Sequence, residues 1–193
     1  MRIAIVTLPR TGGTIFASWL SKELSYKHIN EPYWSNHYRE RKYTPYEMWE
    51  EPNTVTKWIL DELQFLGGDI NTHLSSYDFV ILHTRVNVYD ECRSFIYAAK
   101  TFLSNQWHMM YAIPDGWEEK HKDEINEYVK KFLVSQSTIL SLNGDIKTTY
   151  EGIYYENDSQ KIIDSLKFTP KYLNMLDSKH KYLVKPKTYK TLV

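Results

Sequence analysis

The sequence predicts a three-layer α/β fold around a mostly parallel sheet, and three observations lead there. Short runs rich in β-branched and apolar residues recur along the chain, at Ile3 to Leu8, Thr54 to Leu60 and Asp78 to Arg85. Stretches with helical apolar periodicity separate them. The first strand turns through Pro9-Arg10-Thr11-Gly12-Gly13-Thr14 straight into a helix, the connection from which parallel sheets are built.

The first helix carries Ile15, Phe16, Trp19, Leu20 and Leu24 on one face. His28-Ile29-Asn30 reads as a short second strand stopped by Pro32, which puts Glu31 at its carboxyl end. Residues 35 to 53 read as loop, with a short helix at Pro45 to Glu51. Thr54 to Leu60 is the third strand, with Lys57 inside it. A lysine there is costly unless its head reaches water or an anion. Residues 61 to 76 read as a helix broken at Gly67-Gly68, with Asp69 capping its second half. Asp78 to Arg85 is the fourth strand, apolar on both faces over Phe79 to Leu82.

Asn87 caps the next helix, whose stripe is Val88, Cys92, Phe95, Ile96, Ala99, Phe102 and Leu103. Trp117 to Leu142 is a long amphipathic helix with Ile125, Tyr128, Val129, Phe132, Leu133, Ile139 and Leu140 inward. Asn143-Gly144-Asp145 ends it. Ile146 to Tyr150 is the fifth strand, and Ser159 to Leu166 and Pro170 to Leu176 are short helices. The segment from Ser178 to Val193 carries five lysines and no acid. No repeat or linker divides the chain, so residues 1 to 193 are read as a single domain of ordinary size.

Composition narrows the function. Lys plus Arg and Asp plus Glu are both 24, a net charge of zero. Broad phosphate contact with nucleic acid calls for a basic excess, so no nucleic-acid partner is expected and any anion site is local. The single cysteine, Cys92, and seven histidines without ligand spacing predict no metal site. No run approaches the roughly 18 apolar residues of a membrane span, and no leader is evident. A cytoplasmic protein without a membrane partner is the expectation.

The chemistry-bearing residues fall at strand ends. A strand, small-residue loop and helix aim free backbone N–H groups at an anion. Gly12 and Gly13 allow close approach, Arg10 adds a guanidinium, and Thr11 and Thr14 add hydroxyls. The loop is not GxxxxGK[ST], because no Lys follows its glycines, and it is not GxGxxG. Arg85 ends the fourth strand and Ser94 follows nine residues later on the helix. Together they can clamp a second phosphate.

Pro9 to Thr14 resembles the 5′-phosphosulfate loop of sulfotransferases, PRSGST or PKSGTT, with Gly13 in a hydroxyl slot. His83 to Phe95, with Arg85 and Ser94, is similar to their 3′-phosphate motif, TRRNxxDQxxSFxYA, with Val86 in place of the second Arg. Asn30-Glu31-Pro32-Tyr33, Thr56-Lys57-Trp58-Ile59, the Thr101 to His108 run and Thr149-Tyr150-Glu151 match further family segments in order.

The resemblance implies a P-loop NTPase-like fold and a PAPS-dependent sulfotransferase. Such an enzyme moves a sulfuryl group from 3′-phosphoadenosine-5′-phosphosulfate (PAPS; product 3′,5′-ADP) to a hydroxyl or amine of a small-molecule or carbohydrate acceptor, without metal. It implies Pro9, Arg10, Thr11, Gly12, Gly13, Thr14, Arg85, Ser94 and Tyr150 as cofactor-binding residues, and Arg10 and Lys57 as charge-stabilising ones. Glu31 is the first candidate for the base, with its pKa raised by burial near Tyr33 and Trp34; His28 and His108 are rivals. The acceptor wall is read as residues 33 to 52 and 100 to 120. Lys185 and Lys187 are candidates to close over the 3′-phosphate. Two alternatives stay open: a P-loop-type nucleotide-dependent kinase, and a catalytically inactive nucleotide-binding module on the same fold.

Overall fold

The computed structural model describes residues 1–32, 51–101, 113–156 and 159–166. The expected helices at Pro45 to Glu51 and Pro170 to Leu176, most of the acceptor wall, His108 and the lysine-rich C-terminal segment lie outside the described residues.

Five strands form one sheet in the order β2-β3-β1-β4-β5, every neighbouring pair parallel. They are β1 (Arg2–Thr7), β2 (Lys27–Asn30), β3 (Thr54–Ile59), β4 (Phe79–Thr84) and β5 (Ile146–Thr149). Seven helices are described: α1 (Gly13–Leu24), α2 (Leu60–Leu66), α3 (Ile70–Leu74), α4 (Val88–Thr101), α5 (Trp117–Ser141), α6 (Tyr150–Tyr155) and α7 (Ser159–Ser165). None is long and apolar enough to cross a membrane.

The period-two alternation of β1 explains the layers. Ala4 and Val6 face one core with Trp58, Leu82, Cys92, Ile96, Ile125 and Phe132, under α2 to α5. Ile3 and Ile5 face the other with Phe16, Leu20, Val55, Ile81, Ile153 and Ile162, under α1, α6 and α7. A sheet covered on both faces requires the near-continuous apolar strands that the sequence shows.

Several details differ from the sequence reading. Tyr150 opens helix α6 rather than closing β5, because the Thr149 hydroxyl caps that helix by accepting from Gly152 N at 2.9 Å. Strand β3 stops at Ile59, where the buried Glu62 side chain accepts from Ile59 N at 3.0 Å and starts α2 at once. Ile15 on α1 and Leu133 and Leu140 on α5 are exposed. On α4, Ala98 is buried in place of Ala99. The predicted break at Gly67-Gly68 and the Asp69 cap are present: Asp69 accepts from Asn71 N at 3.4 Å and Thr72 N at 2.9 Å. Asn87 accepts from Asp90 N at 3.0 Å at the start of α4.

Strand β1 lies between β3 and β4. From it the chain winds first toward β2 and β3, then returns on the other side to β4. This is the switch point outside whose carboxyl ends open α/β sheets take their ligands, and the loop from Pro9 to Gly12 occupies it.

Candidate functional site

The loop is held from beneath. Thr11 is fully buried, and its hydroxyl turns inward to Thr7 Oγ1 and to Leu8 O at 3.0 Å. That hydroxyl, expected as a donor to an anion, braces the loop in this structure. His83 Nε2, from β4, donates to Thr11 O at 3.1 Å. Burial lowers the His83 imidazole to about 4, so it stays neutral at pH 7. Gly12 brings no capping side chain to α1, and Gly13 N donates to Thr11 Oγ1 at 3.4 Å. Gly12 is needed twice over. Its φ is 79°, and a Cβ there would lie 2.7 Å from Tyr150 Cδ2.

Arg10 has φ 66° and Glu31 has φ 46°. Two side chains singled out by sequence thus sit on left-handed backbone at the ends of β1 and β2, a cost borne by structure around them. Arg10 Nε donates to Ser94 Oγ at 2.9 Å. Arg85 Nη1 donates to Arg10 O at 3.4 Å. Burial, then the Arg85 charge, lowers the Arg10 pKa from its ordinary value. The loop and the β4–α4 segment are therefore in direct contact.

Arg85 lies over the Tyr150 ring, 4.6 Å from its centroid. Asp90 and Glu151 each stand 3.9 Å from its guanidinium, beyond hydrogen-bonding distance. Arg85 Nε is buried and has no hydrogen bond among the described residues. The Glu151 carboxylate instead accepts from Val86 N at 2.8 Å and Asn87 N at 3.1 Å. Arg93, an additional nearby cation, is spent on Asp90 and Glu118 at 2.9 Å each.

On the other side of the loop, Lys57 is buried. Its Nζ donates to Glu31 Oε1 and to Thr14 Oγ1, the latter at 3.0 Å, and Thr14 Oγ1 donates to Asn30 Oδ1 at 3.3 Å. Burial among Tyr33 and Trp34 falls outside the described residues; the partner that governs Glu31 is Lys57. His28, on β2, has its pKa lowered by burial and then by Lys57 and Lys22, which leaves it a neutral neighbour of the same group.

Sequence reasoning missed Gln136 and Glu91. Gln136 Nε2 donates to Arg85 O at 2.8 Å and to Glu91 Oε2 at 3.2 Å. The signal was an acid, Glu91, directly before the apolar Cys92 of α4, on a face that had to be buried.

A parallel five-stranded sheet with a β1–α1 loop lined by cations at its switch point is the P-loop type of α/β fold. No protein-family model matches the chain, and no curated protein matches it. Among solved structures, a shikimate kinase from Bacteroides thetaiotaomicron superposes with TM-score 0.53 at 11% identity, over 87% of this chain and 99% of that one. A shikimate kinase from Aquifex aeolicus gives 0.43 at 15%, over 86% and 96%. A deoxyadenosine kinase from M. mycoides with bound dATP gives 0.42 at 15%, over 87% and 100%. At 11% identity the first of these likenesses establishes the fold alone.

Proposed function

We propose that this chain is a nucleotide-dependent transferase of the P-loop type, moving a sulfuryl group from 3′-phosphoadenosine-5′-phosphosulfate to a hydroxyl or amine of a small molecule or carbohydrate. The observation that carries this is the juxtaposition of Arg10, Ser94 and Arg85 through two hydrogen bonds. Two guanidiniums and a hydroxyl there suit two separate phosphates. The orphaned Arg85 Nε is a donor lacking the acceptor that a phosphate oxygen supplies.

The residues divide the work by position. Arg10, Thr14 and the first-turn amides of α1 hold the 5′ side, and Arg85 and Ser94 the 3′ side. Tyr150 offers its ring as a wall between them. When bound, the cofactor supplies an activated sulfuryl group. Charge growing on the leaving phosphate is met by Arg10 and the loop amides. Glu31 accepts the acceptor's proton, and Lys57, which touches both Glu31 and Thr14, is placed to shift from the carboxylate to an anion at the loop.

A nucleotide-dependent kinase is the second reading, and the fold likeness speaks for it, since the structure that superposes with TM-score 0.53 is a shikimate kinase. Against it stands Gly13. Glycine stands where GxxxxGK[ST] demands a lysine, so the loop lacks that cation. Incubation with sulfur-radiolabelled cofactor and a panel of sugars, phenols and amines tests the proposal. Transfer by the native chain, lost in Glu31→Gln with cofactor binding kept, supports it. Transfer of the terminal phosphate of ATP instead selects the kinase reading.

A further inference from the structure

Glu91 is fully enclosed between α4 and α5. Its Oε2 accepts from Gln136 Nε2 at 3.2 Å, and its Oε1 has no hydrogen bond among the described residues. The second proton of the same Gln136 nitrogen goes to the Arg85 carbonyl at 2.8 Å. One amide nitrogen on α5 thus joins the last turn of β4 to the first turn of α4. The backbone it fixes, Arg85 to Asn87, carries Arg85 and the two amides that hold Glu151.

We propose that Gln136 and Glu91 form a positioning pair that sets the anion affinity of Arg85. This rests on the reading of Arg85 as an anion ligand but not on which nucleotide is used. Fixing the Arg85 carbonyl fixes where its side chain leaves the strand, and hence whether the guanidinium lies over Tyr150 and against the loop. The pair also carries a charge rule. Burial raises the Glu91 carboxyl to about 8, against the opposing pull of Arg85 and Gln136. The groups that face it are Arg85 from the end of β4, Gln136 from α5, Glu151 from α6 and Cys92 on its own helix. At neutral pH Glu91 is protonated and leaves Arg85 its full charge for a ligand. Above that range it becomes an anion beneath Arg85 and competes with the ligand.

The test compares binding of inorganic pyrophosphate, 3′,5′-ADP and ATP with Mg²⁺ by calorimetry at pH 6.5 and 9, in native protein, Gln136→Leu and Glu91→Gln. Both variants are first checked for a folded state by circular dichroism. Gln136→Leu is expected to weaken every ligand by about tenfold, the net worth of one hydrogen bond. Glu91→Gln is expected to match native protein at pH 6.5 and to bind more tightly at pH 9; titration of the ligand itself cancels in that comparison. A merely structural pair would lower thermal stability while leaving affinities and their pH dependence as in native protein, and that result overturns the proposal. So does native protein that binds no pyrophosphate. A native preference for ATP with Mg²⁺ would overturn the sulfuryl-donor reading alone.

Discussion

Arg10 and Ser94 are 84 residues apart in sequence and joined by a hydrogen bond of 2.9 Å. That bond joins the opening turn of the chain to helix α4. With Arg85 Nη1 against the Arg10 carbonyl, it brings two guanidiniums within reach of one ligand. Like charges held that close repel, and Asp90 and Glu151 nearby offset them. A polyanion would do so more strongly.

Replacing Arg85 by alanine should abolish most anion binding and keep the fold. The guanidinium covers the Tyr150 ring but sits outside both apolar cores. Losing a charge-assisted contact of this kind costs about 2 kcal/mol, or roughly thirtyfold in affinity. Calorimetric titration with 3′,5′-ADP, with circular dichroism as the control, checks it; unchanged affinity would remove Arg85 from the site.

Glycine position should matter more than glycine conformation. Gly12 and Gly68 both have positive φ, 79° and 76°, but a Cβ at Gly68 meets open space and one at Gly12 meets Tyr150. Gly68→Ala should cost about 1 kcal/mol from backbone strain alone. Gly12→Ala should cost at least twice as much, since the aromatic ring must shift as well. Urea unfolding of the two variants measures the difference.

Lys57→Met should expose what the buried ammonium does. The methionine keeps the stem but leaves Glu31 without the cation it touches. A fall in stability of about 1–3 kcal/mol at pH 7 is expected. Parallel denaturant curves of the native protein and the variant read this directly.

His83 and Glu91 should tilt the pH–stability curve in opposite senses. Burial depresses His83 from 6.5 to about 4, so between those values the unfolded chain binds the extra proton and stability falls as pH falls. Burial raises Glu91 from 4.5 to about 8, so there the folded chain binds the extra proton and stability falls as pH rises. Each slope approaches about 1.4 kcal/mol per pH unit where one proton separates the states. Between pH 4.5 and 6.5 the two slopes oppose and nearly cancel, so in thermal scans across that range His83→Gln should leave stability falling as pH rises and Glu91→Gln should leave it rising.

The layers were legible because both-face burial forces apolar runs such as Phe79 to Leu82, and the site loop because only small residues bridge β1 and α1 so tightly. Asp69 and Asn87 announced their caps by chemistry alone. Tyr150 was misplaced because a Thr that caps a helix also reads as the end of a strand. The inward turn of the Thr11 hydroxyl could not be read, since a hydroxyl serves loop and ligand equally. Gln136 left no trace either: an amide on a helix face looks solvated until β4 is set beside it. The fold likeness leaves the choice of nucleotide to a binding experiment.

The most direct measurement is thermal unfolding of the native chain with 3′,5′-ADP without metal, with ATP and Mg²⁺, and alone. Saturating 3′,5′-ADP, at about 100 times its Kd, should add about 2.7 kcal/mol of stability, a shift of several degrees. Stabilisation by ATP with Mg²⁺ and none by 3′,5′-ADP would contradict the account.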